Sequence, residues 1–297
     1  MSDVLQNLSD EMAALTEQIG ASVLRIEARR RLPASGIMWE HGLIVTASHV
    51  VERDEDIHIG LPDGKRISAT LVGRDPSSDL ALLRAECDLP IPHWASPETI
   101  RVGQLVLALG RPGERIMATL GVVSALESGD KLPAGMQIDP FVQTDVVMYP
   151  GFSGGPLVSA GGRVLGLNTS AMRGISLTIP TSTIRRVVET LLKHGKMQRG
   201  YLGVGTQAVK LSPALAEVAE QRYGLLVASV EPDSPAEAAG VLIGDILVRF
   251  DQARLNGPED LIRALQGDCI GKAIPLVLVR GGALQSLSVT VGERPER

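Results

Sequence analysis

The sequence predicts a mainly β protein built from two units, a barrel or sandwich of short strands followed by a smaller α+β module. Three observations predict it. A chain of 297 residues is long enough for two domains of roughly 150 residues each. Short apolar segments recur up to about Pro180, separated by turns rich in Gly and Pro, which argues for a barrel or sandwich and against a wound α/β fold. Near Gly200 the pattern changes, and strands begin to alternate with capped helices.

Taken in order, residues 3–19 read as a helix, because Leu5, Leu8, Met12, Leu15 and Ile19 recur at steps of three and four. Gly20 is its stop. Leu24, Ile26 and Ala28 then alternate with Arg25 and Glu27, as on a half-buried strand. Strands follow at 42–46 and 57–61. Pro62-Asp63-Gly64-Lys65 is a turn signal leading to a strand at 67–71. More short strands run to Pro180, among them 164–168. A helix over 182–194 closes this unit, with Ile184, Val187, Val188, Leu191 and Leu192 on one side and Gly195 at its end. In the second unit strands are expected at 225–230, 246–250, 275–280 and 284–291. Ser234-Pro235 caps one helix, ended by Gly240. Asn256 and Pro258 open another over 259–266, stopped by Gly267. The expected organisation is a helix over 1–20, a first domain over 21–198 and a second over 199–297.

Composition narrows the function. Apolar residues make up 44% and charged residues 21%, as in ordinary globular domains. Aromatics are only 3%, so aliphatic side chains must fill the cores. The net charge of −5, with no basic run beyond Arg29-Arg30-Arg31, excludes a nucleic-acid footprint. Cys87 and Cys269 are expected as unpaired thiols, since a secreted domain would carry several bridges. The opening segment MSDVLQNLSDEMAALTEQ has neither a basic start nor a continuous apolar stretch, so it is not a signal peptide. No run approaches the ~18 apolar residues of a membrane span. The expected compartment is the cytoplasm, with an extracytoplasmic one open if a leader has been removed.

The chemistry concentrates in Pro150-Gly151-Phe152-Ser153-Gly154-Gly155-Pro156-Leu157. A serine hydroxyl becomes a useful nucleophile only when a base takes its proton and donors stabilise the oxyanion. Glycines around Ser153 let the chain turn its N–H groups toward one point, so the amides of Gly151 and Ser153 are the expected oxyanion hole. The same pentapeptide fits the nucleophile elbow of α/β-hydrolases. That elbow requires a helix after the serine and the order Ser, Asp, His, whereas Ser153 precedes Gly-Gly-Pro and another strand. Upstream, His49 follows an apolar strand in Thr46-Ala47-Ser48-His49-Val50-Val51. Asp79 opens another in Ser78-Asp79-Leu80-Ala81-Leu82-Leu83. The order His, Asp, Ser is that of the chymotrypsin class. By proton bookkeeping His49 is the base, Asp79 its orienting partner and Ser153 the nucleophile. His41, His58, His93 and His194 lack such company.

The segments T-A-S-H-V-V, S-D-L-A-L-L, Q-T-D-V-V-M-Y-P-G-F-S-G-G-P-L-V, R-V-L-G-L-N-T, I-P-T-S-T-I-R-R-V-V and R-G-Y-L-G-V resemble those of the HtrA/Deg family of serine proteases. The similarity runs from about Ala21 to the C-terminus. It implies a chymotrypsin-like double β-barrel with the triad between the barrels, followed by a PDZ domain, and it implies a homotrimer that degrades unfolded or misfolded proteins. It implies no cofactor and no metal. Tyr201-Leu202-Gly203-Val204 matches the family's carboxylate-binding loop, so peptides with apolar C-termini are expected partners there, added as a strand beside the helix 259–266. Three departures stand out. Phe152 occupies a position where the family usually has Asn, the loop 170–175 is short, and no leader is present. In the chymotrypsin fold the base of the specificity pocket lies six residues before the serine, here at Val147. Met148 lies beside it, and Leu167, Asn168, Thr169 and Leu177 are the candidate walls. With no carboxylate in that set, small or medium apolar side chains are the expected P1 residues. The competing reading is a non-proteolytic chaperone or peptide-binding protein on the same scaffold. Relatives trimerise through the segment leading into the first barrel, so the stripe Leu5, Leu8, Met12, Leu15 and Ile19 is the expected contact.

Overall fold

A computed structural model describes residues 2–30, 32–96, 100–127, 141–170, 176–197, 200–265 and 269–294. The chain divides into two compact units, one whose described residues end at Met197 and one whose described residues begin at Gly200.

The first unit opens with α1 (Ser2–Gly20) and continues through β1 (Val23–Glu27), β2 (Ala34–Glu40), β3 (Leu43–Ala47), β4 (Ile57–Gly60), β5 (Arg66–Asp75) and β6 (Leu80–Arg84). These six strands close into a barrel in the order β1-β2-β3-β6-β5-β4. Then come β7 (Leu105–Gly110), β8 (Met117–Glu127), β9 (Phe141–Thr144), β10 (Pro156–Ser159), β11 (Val164–Thr169) and β12 (Ser176–Pro180). They form a second closed barrel in the order β10-β11-β12-β9-β8-β7. Closure removes the exposed strand edges that an open sheet of this length would present. Every residue of β3 is buried, and β6 pairs with it from Leu43 opposite Arg84 to Ala47 opposite Leu80. That register brings the end of β3 and the start of β6 together, and His49 and Asp79 lie just outside those ends.

Helix α2 (Thr181–His194) follows β12 and buries Ile184, Val187, Val188 and Leu191, the face that the spacing predicts. Gly195, at φ 71°, caps it by donating its N–H to the Leu191 carbonyl. Helix α1 is divided along its length. Ile19 is buried, and Met12 and Leu15 pack on a core cluster that draws on both barrels, with the helix lying against β7 of the second barrel. Val4 and Leu5 are about 70% exposed and Leu8 is 37% exposed. Met12, Leu15 and Ile19 of the predicted stripe therefore pack inside their own unit, and Leu5 and Leu8 face outward.

The second unit holds β13 (Gly200–Tyr201), β14 (Val204–Lys210), α3 (Pro213–Ala219), β15 (Tyr223–Val230), α4 (Pro235–Ala238), β16 (Ile246–Phe250), β17 (Ala253–Arg254), α5 (Pro258–Ala264), β18 (Ala273–Arg280), β19 (Ala283–Thr290) and β20 (Gly292–Glu293). The main sheet runs β14-β15-β16-β18-β19, with β17 on β16, and β13 pairs with β20. Leu202, Leu225, Leu247, Phe250, Leu261 and Leu278 form its core. Inside this unit Asp245 is buried and is gripped by Arg280, Nε to Oδ1 at 2.8 Å and Nη2 to Oδ2 at 2.7 Å. Burial works to raise its pKa, but the Arg280 hydrogen bonds and the Leu242 amide outweigh that and hold it below the ordinary carboxylate value. Two details differ from the sequence expectation. Helix α3 is additional, capped by the Ser212 hydroxyl with Pro213 first in the helix. Helix α5 is capped from Gly257 rather than Asn256, because the Asp260 carboxylate reaches back to accept both of their N–H groups. The expected C-terminal end of that helix and Gly267 lie outside the described residues.

Candidate active site

Asp79 is delivered by a turn that its own neighbours build. Asp75 accepts hydrogen bonds from the Ser77 amide and from the hydroxyls of Ser77 and Ser78. The chain then enters Asp79 at φ 56°, a left-handed conformation that aspartate tolerates better than most residues. Two bonds stabilise it. Its carbonyl accepts from Ser48 N–H at 3.0 Å, and its Oδ1 accepts from His49 N–H at 2.9 Å. His49 sits in a single 3-10 turn, Ser48–Val50, directly after β3. Its Nδ1 lies 2.8 Å from Asp79 Oδ2 and 3.0 Å from Oδ1. The other carboxylate contact comes from the second barrel, where Thr169 Oγ1 donates to Asp79 Oδ2 at 2.5 Å. With Nδ1 engaged by the carboxylate, Nε2 is the nitrogen left to handle a proton.

Ser153 lies in the segment between β9 and β10, 6% exposed, and the hydrogen bonds of this loop can be counted peptide by peptide. Phe152 N–H donates to Tyr149 O, Gly154 N–H to Asn168 O and Gly155 N–H to Phe152 O. Among the described residues the amides of Gly151 and Ser153 donate to no acceptor. Buried amides are nearly always paired, so two open donors flanking one residue mark a place for an anionic oxygen. Gly151 adopts φ 91°, and a Cβ there would lie 2.4 Å from Pro112 Cβ and 2.8 Å from Pro33 O. Only glycine fits on both counts. Phe152 is wholly buried in the core of the second barrel and meets Tyr149 edge-on, with ring centroids 5.7 Å apart.

Ser153 Oγ does not bond to His49 among the described residues. It lies 2.9 Å from Ser170 Oγ and accepts from Ser170 N–H at 3.3 Å. Ser170 is a contact that the sequence does not single out, since a serine after Leu-Asn-Thr looks like any loop residue.

The expected pocket residues separate into two groups. Val147 is 57% exposed, and Met148 packs on the core of the second barrel. Leu167, Asn168 and Leu177 are buried. The Asn168 side chain is spent inside the barrel, donating to Pro156 O and accepting from Thr178 Oγ1. The Thr169 hydroxyl is turned to Asp79. The short loop expected to help form the pocket falls on residues 171–175, outside the described residues. Among the described residues no cluster of His, Cys, Asp or Glu side chains could hold a metal ion.

In the second unit Leu202 is buried and Gly203 adopts φ 79°. The carbonyls of both are used, by Ala236 N–H and Glu231 N–H respectively. Their own amides have no acceptor among the described residues. Tyr201 donates its hydroxyl to Glu231 Oε2 at 2.6 Å. Val204 starts β14, and α5 lies against that strand.

Comparison with known proteins gives a consistent set of likenesses. Residues 34–167 match the family described as trypsin-like peptidase domain, and residues 200–291 match the PDZ domain family. A probable periplasmic serine endoprotease, DegP-like, of Halomonas elongata is 35% identical over 278 residues, 91% of this chain and 58% of the relative. Its counterpart in Pseudomonas fulva is 37% identical over 267 residues, 87% of this chain and 55% of the relative. The chain thus spans a little over half the length of the curated relatives it matches. Among solved structures, the HtrA-type protease AlgW with a tripeptide superimposes with a TM-score of 0.79 at 30% identity, covering 96% of this chain and 98% of that one. The serine endoprotease from Yersinia pestis gives 0.79 at 28% identity, covering 95% and 98%. The curated relatives are named periplasmic, which gives the cytoplasmic expectation no support. No helix among the described residues is long and apolar enough to cross a membrane.

The contact with Ser170 restrains Ser153 by about one hydrogen bond, on the order of 0.5–1.5 kcal/mol. Replacing Ser170 with Ala is expected to raise the rate of Ser153 labelling by a small fluorophosphonate roughly 2- to 10-fold. A labelling rate equal to the wild type, or slower, would show that the contact does not restrain the hydroxyl.

Proposed function

Because the chain belongs to the HtrA/DegP-like family of trypsin-like serine proteases with a PDZ domain, we propose that it is itself a serine endopeptidase acting on unfolded polypeptides. The observation that carries this reading is the loop around Ser153, which commits the amides of Phe152, Gly154 and Gly155 and leaves those of Gly151 and Ser153 open. That arrangement suits a tetrahedral oxyanion in the reaction of Ser153 with a peptide carbonyl.

In this reading Asp79 orients the His49 ring and stabilises it when it becomes an imidazolium. His49 Nε2 takes the proton of Ser153 Oγ as that oxygen attacks the carbonyl carbon. The carbonyl oxygen becomes an alkoxide between the two open amides. On collapse of the intermediate, His49 passes the proton to the leaving nitrogen, and water then hydrolyses the acyl-enzyme by the same route. Ser153 must first leave Ser170. Val147, Met148 and Leu177 supply an apolar surface for the P1 side chain, and the periplasm is the compartment that the relatives' names suggest. Casein digestion, with product ends read by mass spectrometry, tests the reading. The wild type is expected to cleave after apolar residues, and Ser153→Ala to lose about 10³-fold or more in rate. Equal cleavage by the two would remove Ser153 from the mechanism. Binding without cleavage by either would make the chain a peptide-binding protein.

The second unit is proposed to bind the free C-terminus of an apolar peptide. The carboxylate would lie on the amides of Leu202 and Gly203, and the peptide would add as a strand beside β14. Fluorescence anisotropy with a labelled apolar peptide is expected to show at least roughly tenfold weaker binding when its C-terminus is amidated, the loss of a charge-assisted contact. Equal affinity for acid and amide would overturn this mode.

The proposed assembly is a homotrimer held by the outer part of α1. Val4, Leu5 and Leu8 are exposed, while Met12, Leu15 and Ile19 are already packed at home. A double substitution, Leu5→Asp with Leu8→Asp, leaves the packed half untouched. Light scattering is expected to show a trimer for the wild type and a monomer for this variant. A wild-type monomer at micromolar concentration would overturn the trimer, and a trimer in both would place the contact elsewhere.

A further inference from the structure

Ser35 is a wholly buried residue of β2 in the first barrel, and four hydrogen bonds converge on it. Its N–H donates to Ser153 O at 3.1 Å. Its hydroxyl donates to Gly151 O at 2.7 Å and accepts from Arg111 N–H at 2.7 Å. Its carbonyl accepts from Thr46 Oγ1 at 2.7 Å. Ser35 thus holds the carbonyls of the two residues whose amides are open. The direction of the hydroxyl proton is settled by its neighbours. The Arg111 amide occupies one lone pair as a donor, and the Gly151 carbonyl can only accept, so the serine proton points to Gly151.

The consequence follows peptide by peptide. The plane joining Gly151 to Phe152 is pinned at both ends, its carbonyl by Ser35 and its N–H by Tyr149 O. The plane joining Ser153 to Gly154 is pinned likewise, by Ser35 N–H and Asn168 O. Between them, the plane carrying the Ser153 amide has its carbonyl, Phe152 O, on Gly155 N–H. The plane carrying the Gly151 amide has no such hold among the described residues. Its orientation depends on the torsions of Gly151, a residue with no Cβ to restrict them, and the Ser35 hydroxyl is the bond that fixes the next plane along. The partner behind Ser35 is itself anchored. The buried Arg111 guanidinium donates to Val23 O at 2.7 Å and Gly20 O at 2.9 Å, and burial pushes its pKa down.

We propose that Ser35 is a positioning residue for the oxyanion hole, fixing the Gly151 amide in the direction that receives the alkoxide. The inference rests on the serine-protease reading. It touches no substrate atom and acts through Gly151 and Ser153.

The test compares a peptide aldehyde of apolar P1 with the corresponding alcohol. The aldehyde adds to Ser153 and places an oxyanion in the hole, and the alcohol does not. In Ser35→Ala, kcat for a chromogenic peptide is expected to fall about 10-fold or more, with KM within about twofold. The aldehyde-to-alcohol affinity ratio should fall by a similar factor, and Ser35→Thr, which keeps the hydroxyl, should recover both. Should Ser35→Ala fail to fold, the ratio is read on Ser35→Cys, which keeps the bulk and weakens the donor, and a reduced ratio is expected there too. An undiminished ratio in the folded variant overturns the inference alone. A wild type that hydrolyses no peptide and binds aldehyde and alcohol equally overturns the serine-protease reading, and this inference with it.

Discussion

The burial of Phe152 is the interaction on which the geometry around Ser153 depends. The side chain is fully enclosed among Ile100, Val106, Ala108, Val123 and Leu157 of the second barrel. Gly110 leaves it room, since a Cβ there would lie 2.7 Å from the Phe152 ring. Enclosing such a ring is worth about 1.5–3 kcal/mol, and truncating it would cost more because a cavity would remain. With Phe152 committed to the core, the residues on either side of it, Gly151 and Ser153, carry the two open amides. An apolar anchor is not screened or competed for by water, as a polar one at the same place would be. The tight turn is therefore held from below by packing and from the first barrel by Ser35.

The two barrels contribute unequal parts to one polar network. The first supplies His49 and Asp79 at neighbouring strand ends, and the second supplies Ser153, Thr169 and Ser170. Thr169 crosses between them to the Asp79 carboxylate, and Ser35 crosses in the other direction to the loop. The left-handed turn at Asp79 has an energetic cost of about 1 kcal/mol or more. It persists because the carboxylate, the carbonyl and the preceding Asp75 turn are all hydrogen-bonded. Removing any one partner would leave a polar group poorly satisfied near the cleft, which is costlier than the mean worth of a hydrogen bond suggests.

Much of this was legible from residue pattern. Alternation locates β1, the Pro-Asp-Gly-Lys turn separates β4 from β5, and a 3.6 period marks α2. His49, Asp79 and Ser153 stood out because each occurs in a short context whose order carries meaning. What escaped has physical reasons. Ser35 and Ser170 are small polar residues whose significance lies in a partner more than 115 positions away or 17 positions away, and local sequence carries no trace of either. Thr169 and Asn168 are expected as pocket walls, and their side-chain hydrogen bonds run to Asp79 and into the barrel, partners that local sequence does not name. Helix α3 was missed although Ser212-Pro213 is an ordinary helix start. The stripe on α1 was correctly periodic, yet period alone does not say where the barrel beneath it ends.

The two units present the same device to the two anions proposed for them. Each holds a glycine at positive φ, Gly151 at 91° and Gly203 at 79°, and each glycine is hemmed in where a side chain would start. A Cβ on Gly203 would lie 2.2 Å from Ser234 Cβ, as one on Gly151 would meet Pro112. In both loops the neighbouring carbonyls are pinned and the amides stay open, so the donors are oriented before any ligand arrives and little ordering cost remains to be met on binding. The difference lies in what a donor of fixed direction is for. At Gly151 and Ser153 the proposed negative oxygen would exist only as the reaction passes through its intermediate, so fixed amides would favour the barrier over the ground state. At Leu202 and Gly203 the proposed carboxylate is charged throughout, so the same geometry yields affinity and selects a free chain end. On the proposed function, one backbone arrangement would thus support a rate in one unit and recognition in the other, according to when the charge appears.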